Sequence, residues 1–90
     1  MLLVVYDIHS DRLRTRLSKY LEGYGSRIQY SVFEIRLSER FLRNIQSEMK
    51  SKFEKHFSQD DSVLVFKIPD SANILRFGYP KNEENDLILV

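Results

Sequence analysis

The sequence predicts an α+β sandwich, an antiparallel sheet with two helices packed on one face. Three observations carry this reading. Apolar stretches of strand character alternate with two amphipathic stretches of helical spacing, in the order strand, helix, strand, helix, strand, strand and a short apolar tail. Ninety residues make one domain, and a chain this short buries only about 60% of its unfolded surface. Two of the strands are apolar on both sides, so both faces of the sheet ask for cover.

The elements follow in order. Leu2–Ile8 reads as a strand, apolar at nearly every position. Ser10 is placed to cap a helix, with Asp11 in the first turn where the helix dipole favours a carboxylate. That helix runs to about Tyr24, with Leu13, Leu17, Tyr20, Leu21 and Tyr24 as its buried stripe and Gly23 and Gly25 bracketing its end. Arg27–Leu37 reads as one long strand, with Ile28, Tyr30 and Val32 on one face and Gln29, Ser31, Phe33 and Ile35 on the other. Ser38 is placed to cap a second helix from Glu39 to about His56, with a stripe of Leu42, Ile45, Met49 and Phe53. Glu39 with Arg43 and Glu48 with Lys52 are spaced for ion pairs on its wet side. Ser62–Ile68 is the next strand, ended by Pro69-Asp70, and Ile74–Tyr79 the last of the core. Residues 1–79 thus form the core, and residues 80–90 add a polar loop and a short tail strand to the same domain. The order suits a ferredoxin-like sandwich with one departure, because that fold places a hairpin between its helices and only one long strand is found there.

The apolar faces predict a dimer. Leu3 and Val5 oppose Val4, Tyr6 and Ile8 on the first strand, and Val63 and Val65 oppose Leu64, Phe66 and Ile68 on the third. Two helices cover one side of a four-stranded sheet. A second copy of the chain, packed sheet to sheet about a two-fold axis, is the simplest cover for the other side. The apolar Leu87–Val90 would be a sticky edge unless it is paired within or across subunits.

Composition narrows the chemistry. Cysteine is absent, which excludes disulfides and thiolate metal sites. The apolar start, Met1–Tyr6, is too short to span a bilayer and lacks the basic flank and cleavage site of a signal peptide, so a cytoplasmic protein is expected. The net charge of +1 does not announce a nucleic-acid binder. The charge is nonetheless concentrated. Arg12, Arg14, Arg16, Lys19 and Arg27 against Asp11 and Glu22 make the stretch from His9 to Arg27 +3. Arg12, Arg16 and Lys19 share one flank of the first helix and Arg14 points elsewhere, either as a solvated face or as a track for phosphates. Arg40, Arg43, Lys50, Lys52 and Lys55 on the second helix are interleaved with glutamates and read as an ion-paired, solvated surface.

Asp7 is the sharpest residue. It interrupts an apolar strand at its C-terminal end, on the face of Leu3 and Val5 that is left for a partner. Two Asp7 carboxylates near a two-fold axis would repel unless a cation lay between them. Mg2+ suits that position, since it takes one or two carboxylates, keeps several waters and lowers the pKa of a bound water. The local alternative is that Asp7 bonds backbone amides at the strand-to-helix turn. His9 and Asp11 read more simply as a polar loop residue and a helix-start residue, and Phe33 as packing rather than base stacking.

Two motifs add a resemblance. Val4-Val5-Tyr6-Asp7-Ile8 with Asp11-Arg12-Leu13-Arg14, and Tyr24-Gly25-Ser26-Arg27-Ile28-Gln29-Tyr30-Ser31-Val32-Phe33-Glu34, resemble the two signatures of the CRISPR-associated Cas-two family. These are an aromatic-Asp pair ending the first strand and a Gly-x-Arg-x-Gln-x-Ser-Val-Phe-like stretch on the second. Asp60 and Asp61 fit loosely the acidic residues that precede the family's third strand. The resemblance implies a ferredoxin-like homodimer with Mg2+-dependent endonuclease activity on single-stranded RNA or double-stranded DNA, and a complex with the Cas-one integrase that captures new spacers. By position it implies that Asp7 is the metal-associated, catalytic aspartate. It likewise implies that Arg14, Arg16, Arg27 and Phe33 serve activity or nucleic-acid contact. Two other roles stay open: a non-catalytic DNA-binding scaffold of the integration complex, and a ribonuclease toxin of the VapD type with a similar fold. A small-molecule-binding domain is disfavoured by the lack of a Gly-rich phosphate loop.

Overall fold

The computed structural model describes residues 1–36 and 38–78. Four strands and two helices follow one another as β1 (Leu2–Asp7), α1 (Asp11–Glu22), β2 (Gly25–Gln29), β3 (Val32–Ile35), α2 (Ser38–Lys52) and β4 (Ser62–Lys67), with a 3-10 turn at Glu54–His56 after α2. The strands form one sheet in the order β2-β3-β1-β4, and every neighbouring pair is antiparallel. This is the ferredoxin-like α+β sandwich: β3 lies between β1 and β2, and β1 between β3 and β4. No helix among the described residues is long and apolar enough to cross a membrane.

The hairpin that the sequence hid is present. The single long strand expected over Arg27–Leu37 is two strands that turn back at Tyr30-Ser31. No glycine, proline, asparagine or aspartate marks this turn, and no non-glycine residue among those described takes a positive φ. A bulge between Arg27 and Gln29 supplies the extra bend instead. The turn is anchored on β1, where the Tyr6 amide donates to the Ser31 carbonyl (3.0 Å) and the Tyr6 hydroxyl to that of Tyr30 (3.2 Å). Gly25 also has a different purpose from the helix cap expected of it. A Cβ there would lie 1.9 Å from the Glu34 carbonyl oxygen, so the β2–β3 ladder requires a residue without one.

One face of the sheet is packed and one is open. Leu2, Val4 and Tyr6 of β1, with Phe33 and Ile35 of β3, are buried under the helices together with Ile8 at the end of β1. From α1 come Leu13, Leu17 and Leu21, and the Ser10 hydroxyl caps its start by accepting the Leu13 amide (3.2 Å), as expected. The phase of α2 differs from expectation. Phe41 is fully buried whereas Leu42 is 39% exposed, so the stripe is Phe41, Ile45, Met49 and Phe53. Aromatic contacts select this phase, with Phe41 against Tyr24 and Phe53 against Tyr20, ring centroids 5.1 Å apart in each pair. The Glu48–Lys52 ion pair forms at 3.0 Å on the outer side.

The open face carries Leu3, Val5 and Asp7. The register places Glu34 and Phe66 beside Leu3, Val32 and Leu64 beside Val5, and Ser62 beside Asp7. Leu64 and Phe66 remain 54% and 47% exposed. The strand expected at Ile74–Tyr79 is not formed over residues 74–78, which have no sheet pairing. That segment is tied back by Arg76, whose guanidinium meets the Glu34 carboxylate at 2.9 Å. Leu37, Tyr79 and the loop and tail expected over residues 80–90 lie outside the described residues.

Candidate functional site

The end of β1 is where sequence, fold and charge converge. Tyr6 and Ile8 are buried and anchor the strand, while Asp7 between them alternates outward and is exposed. Among the described residues the Asp7 carboxylate makes no hydrogen bond and no ion pair. The local role considered for it, bonding the amides of the turn, belongs to other residues. Ser10 takes the Leu13 amide, and Asp61 takes the amides of His9 (2.9 Å) and Ser58 (2.8 Å).

Asp61 also accepts from the His9 ring, Nδ1 to Oδ1 2.9 Å. Its side chain is only 3% exposed, whereas the His9 ring it holds is 58% exposed, so the pair lies at the surface. The Ser58 amide first, then the His9 ring and amide, hold its carboxyl far below the usual carboxylate range. The same bond raises His9 above the ordinary imidazole value, helped by the nearby charges of Asp7 and Asp60 and opposed by desolvation. His9, which the sequence presented as merely polar, is thus oriented by a partner 52 positions away. No spacing rule connects those two residues.

The arginines divide between two hollows. Arg14 and Arg27 face a cleft of about 490 Å³ at the end of β1, lined also by Tyr6, Asp7, Thr15 and Ser18. Arg14 is held by the Ile8 carbonyl (2.9 Å) and by an ion pair to Asp11. The Arg27 guanidinium lies 5.4 Å from the Phe33 ring centroid. It also lies beside the Tyr6 hydroxyl, where its charge and hydrogen bond partly offset the burial that pushes the phenol up. On the other flank of α1, Arg12 and Arg16 line a smaller hollow of about 320 Å³ with Ser10, Leu13 and His56. Arg16 there donates to the Lys52 carbonyl (3.4 Å) and lies 5.9 Å from the Phe53 ring. Phe33, expected from the resemblance to serve nucleic-acid contact, is fully buried on the helix side of the sheet and presents no face to a base. What it offers the site is the surface on which Arg27 rests.

A divalent metal is a demanding guest here. The described residues contain no group of three or more acidic or histidine side chains able to hold one. Asp61 is committed to His9 and Ser58, and Asp11 to Arg14, whereas Asp7, and Asp60 near His9, have no such partner among the described residues. On β1 one chain contributes a single donor, Asp7. A hydrated Mg2+, which takes one or two carboxylates and keeps its waters, would fit Asp7 if a second carboxylate were brought to the same place.

Residues 1–73 match the family model described as CRISPR associated protein Cas2. The chain is 42% identical over 72 residues to the CRISPR-associated endoribonuclease Cas2 of Thermus thermophilus, covering 79% of this chain and 72% of that one. It is 36% identical over 66 residues to a CRISPR-associated endoribonuclease Cas2 of Synechocystis, covering 73% and 68%. Among solved structures, a hypothetical protein from Thermus thermophilus superimposes with a TM-score of 0.68 at 28% identity, covering 89% of this chain and 95% of that one. Streptococcus pyogenes Cas2 superimposes with a TM-score of 0.64 at 20% identity, covering 83% and 98%.

Proposed function

We propose, from the fact that this chain belongs to the CRISPR-associated Cas2 family, that two copies of it form a metal-dependent endonuclease for single-stranded RNA. The observation that carries this reading is Asp7. It is an exposed carboxylate, unused by the fold, at the rim of a cleft that two arginines enter from opposite walls. The relatives named endoribonucleases support the reaction class.

The chain's own residues supply most of what phosphodiester cleavage needs. Arg14 is held in place by a carbonyl and a carboxylate, so it meets a phosphate in one orientation and loses little freedom on binding. Arg27 rests on Phe33 and Tyr6, and its planar fork matches two phosphate oxygens. Both guanidiniums stabilise the extra negative charge that develops as the phosphorus is attacked. Asp7 and its copy would hold the Mg2+, which when bound supplies a water of lowered pKa and polarises a phosphoryl oxygen. The open sheet face, with Leu3, Val5, Leu64 and Phe66, is the surface on which the copies meet.

A second reading is favoured by the hollow of Arg12, Arg16 and His56, which lies on the outer flank of α1 away from Asp7. A duplex backbone tracked there would make the dimer a DNA-binding scaffold, docking an integrase rather than cutting. The two readings separate on Asp7. Wild type and Asp7→Asn are offered single-stranded RNA and double-stranded DNA, each with Mg2+ and with chelator, and both proteins are checked for fold and dimer. Mg2+-dependent cutting of the RNA that is lost in a folded, dimeric Asp7→Asn is the expected result. Equal cutting by both, or none by the wild type, removes the nuclease and leaves the scaffold.

A further inference from the structure

The open face of the sheet carries two carboxylates and treats them differently. Leu3 and Val5 of β1, Val32 of β3, and Leu64 and Phe66 of β4 make that face apolar, and Asp7 and Glu34 interrupt it. Asp7 has no partner among the described residues. Glu34 is met by the Arg76 guanidinium at 2.9 Å, and its side chain is only 16% exposed. That partner comes from a distance. β4 ends at Lys67 on one edge of the sheet, and Arg76 lies well beyond it, yet it reaches Glu34 on β3, two strands away or about 10 Å. Little else holds its segment. Residues 74–78 have no sheet pairing, and Leu75 and Phe77 on either side of Arg76 are 80% and 89% exposed. An ion pair on the surface of a free chain adds little to stability. Beneath a protein contact the balance changes, because a carboxylate covered without a counter-charge is strongly unfavourable. The pair thus does little for one chain alone and much for a face that is covered.

We infer that the Glu34–Arg76 pair is a clasp that fits the open face for burial against a second copy of this chain, with the Arg76 segment as part of the contact. A copy suits this face because the chain neutralises Glu34 from within. What remains around the pair is apolar, and a two-fold contact sets that patch against itself with no opposite charge required. A strongly charged partner would instead be matched by a charged face. The inference rests on the two-copy reading of the proposed function and names the residues on which that contact depends. The two partners differ in what they can do when the pair is broken. Glu34 is fixed on a central strand and stays in the contact, whereas Arg76, 55% exposed on an unpaired segment, can turn to water.

The test measures the dissociation constant of the dimer by analytical ultracentrifugation, with Mg2+ present throughout and the fold of each variant checked by circular dichroism. Arg76→Ala leaves Glu34 covered and unpaired, and is expected to weaken the dimer about a hundredfold or more. Glu34→Gln leaves only an arginine that can reach water, and is expected to weaken it about fivefold or less. Arg76→Lys keeps the charge and most of the affinity. The double variant Glu34→Gln with Arg76→Ala removes both charges and is expected to return to within about tenfold of wild type. A second arm uses the Leu64→Glu chain, in which the contact is removed. There the side-chain resonance of Arg76 should still move on Glu34→Gln, because the pair forms within one chain. Indifference of the dimer to Arg76→Ala, a double variant as weak as Arg76→Ala alone, or an Arg76 resonance that ignores Glu34→Gln would each overturn the inference. Wild type that stays a monomer at every concentration removes the two-copy reading and the clasp with it, whereas a wild-type dimer indifferent to Arg76→Ala removes the clasp alone.

Discussion

At the scale of single residues, the His9–Asp61 pair makes the clearest pH-dependent contribution. Asp61 has its folded value below the ordinary 3.8, so its stabilisation is present above that pH and is lost as pH falls below it. His9 has its folded value above the ordinary 6.5, so its stabilisation is complete below 6.5 and is lost as pH rises through the raised value. Both are present together only between about pH 4 and 6.5. The stability difference between wild type and Asp61→Asn, from urea unfolding with chelator present, should therefore peak in that window and shrink on both sides. The His9 ring, followed by NMR, should titrate above 6.5 in wild type and return toward 6.5 in Asp61→Asn. A stability difference that does not vary with pH, or a ring that titrates alike in both proteins, would show that the pair is not formed in solution.

At the scale of elements, what was legible depended on whether the signal was local. The face of β1, the cap and stripe of α1 and the position of β4 each rest on residues two to four apart, and each is found as read. The β2–β3 turn was not legible, because apolar alternation runs through Tyr30-Ser31 and a bulge replaces the glycine or asparagine that usually marks a hairpin. Nor was the phase of α2, since Phe41 and Leu42 are both apolar and only contact with Tyr24 decides between them. The site divides in the same way. Asp7 stood out as a charge inside an apolar strand, whereas the meeting of Arg14 with Arg27 in one cleft needed the tertiary fold. The helix phase gives a direct prediction. Phe41→Ala should cost about 3–5 kcal/mol by chemical denaturation, as for other fully buried phenylalanines. Leu42→Ala should cost about 1 kcal/mol or less, because its side chain already meets water. The reverse ranking would mean that α2 is rotated by one residue.

At the scale of the whole molecule, the proposed function makes one chain half of a device. Its helices cover one face of the sheet, and the other presents Leu64 and Phe66 half exposed beside Leu3 and Val5. Asp7 lies in the same register row of that face as Ser62, so a copy packed there by a two-fold rotation carries a second free carboxylate with it. Apolar cover and metal ligation would then be two results of one contact, and they should fail together. Leu64→Glu places a charge in the contact while leaving the helix-side core untouched. It should give a folded monomer by circular dichroism and analytical ultracentrifugation, with cutting reduced to background. Wild-type cutting per chain should fall on dilution in step with the dimer fraction, since a site assembled from two halves disappears with the dimer. The decisive arm is the mutant at high concentration with excess Mg2+. If that monomer still cuts, the site is complete within one chain and the open face has another purpose; if it does not cut while a residual dimer fraction does, the two-fold contact and the chemistry are one structure.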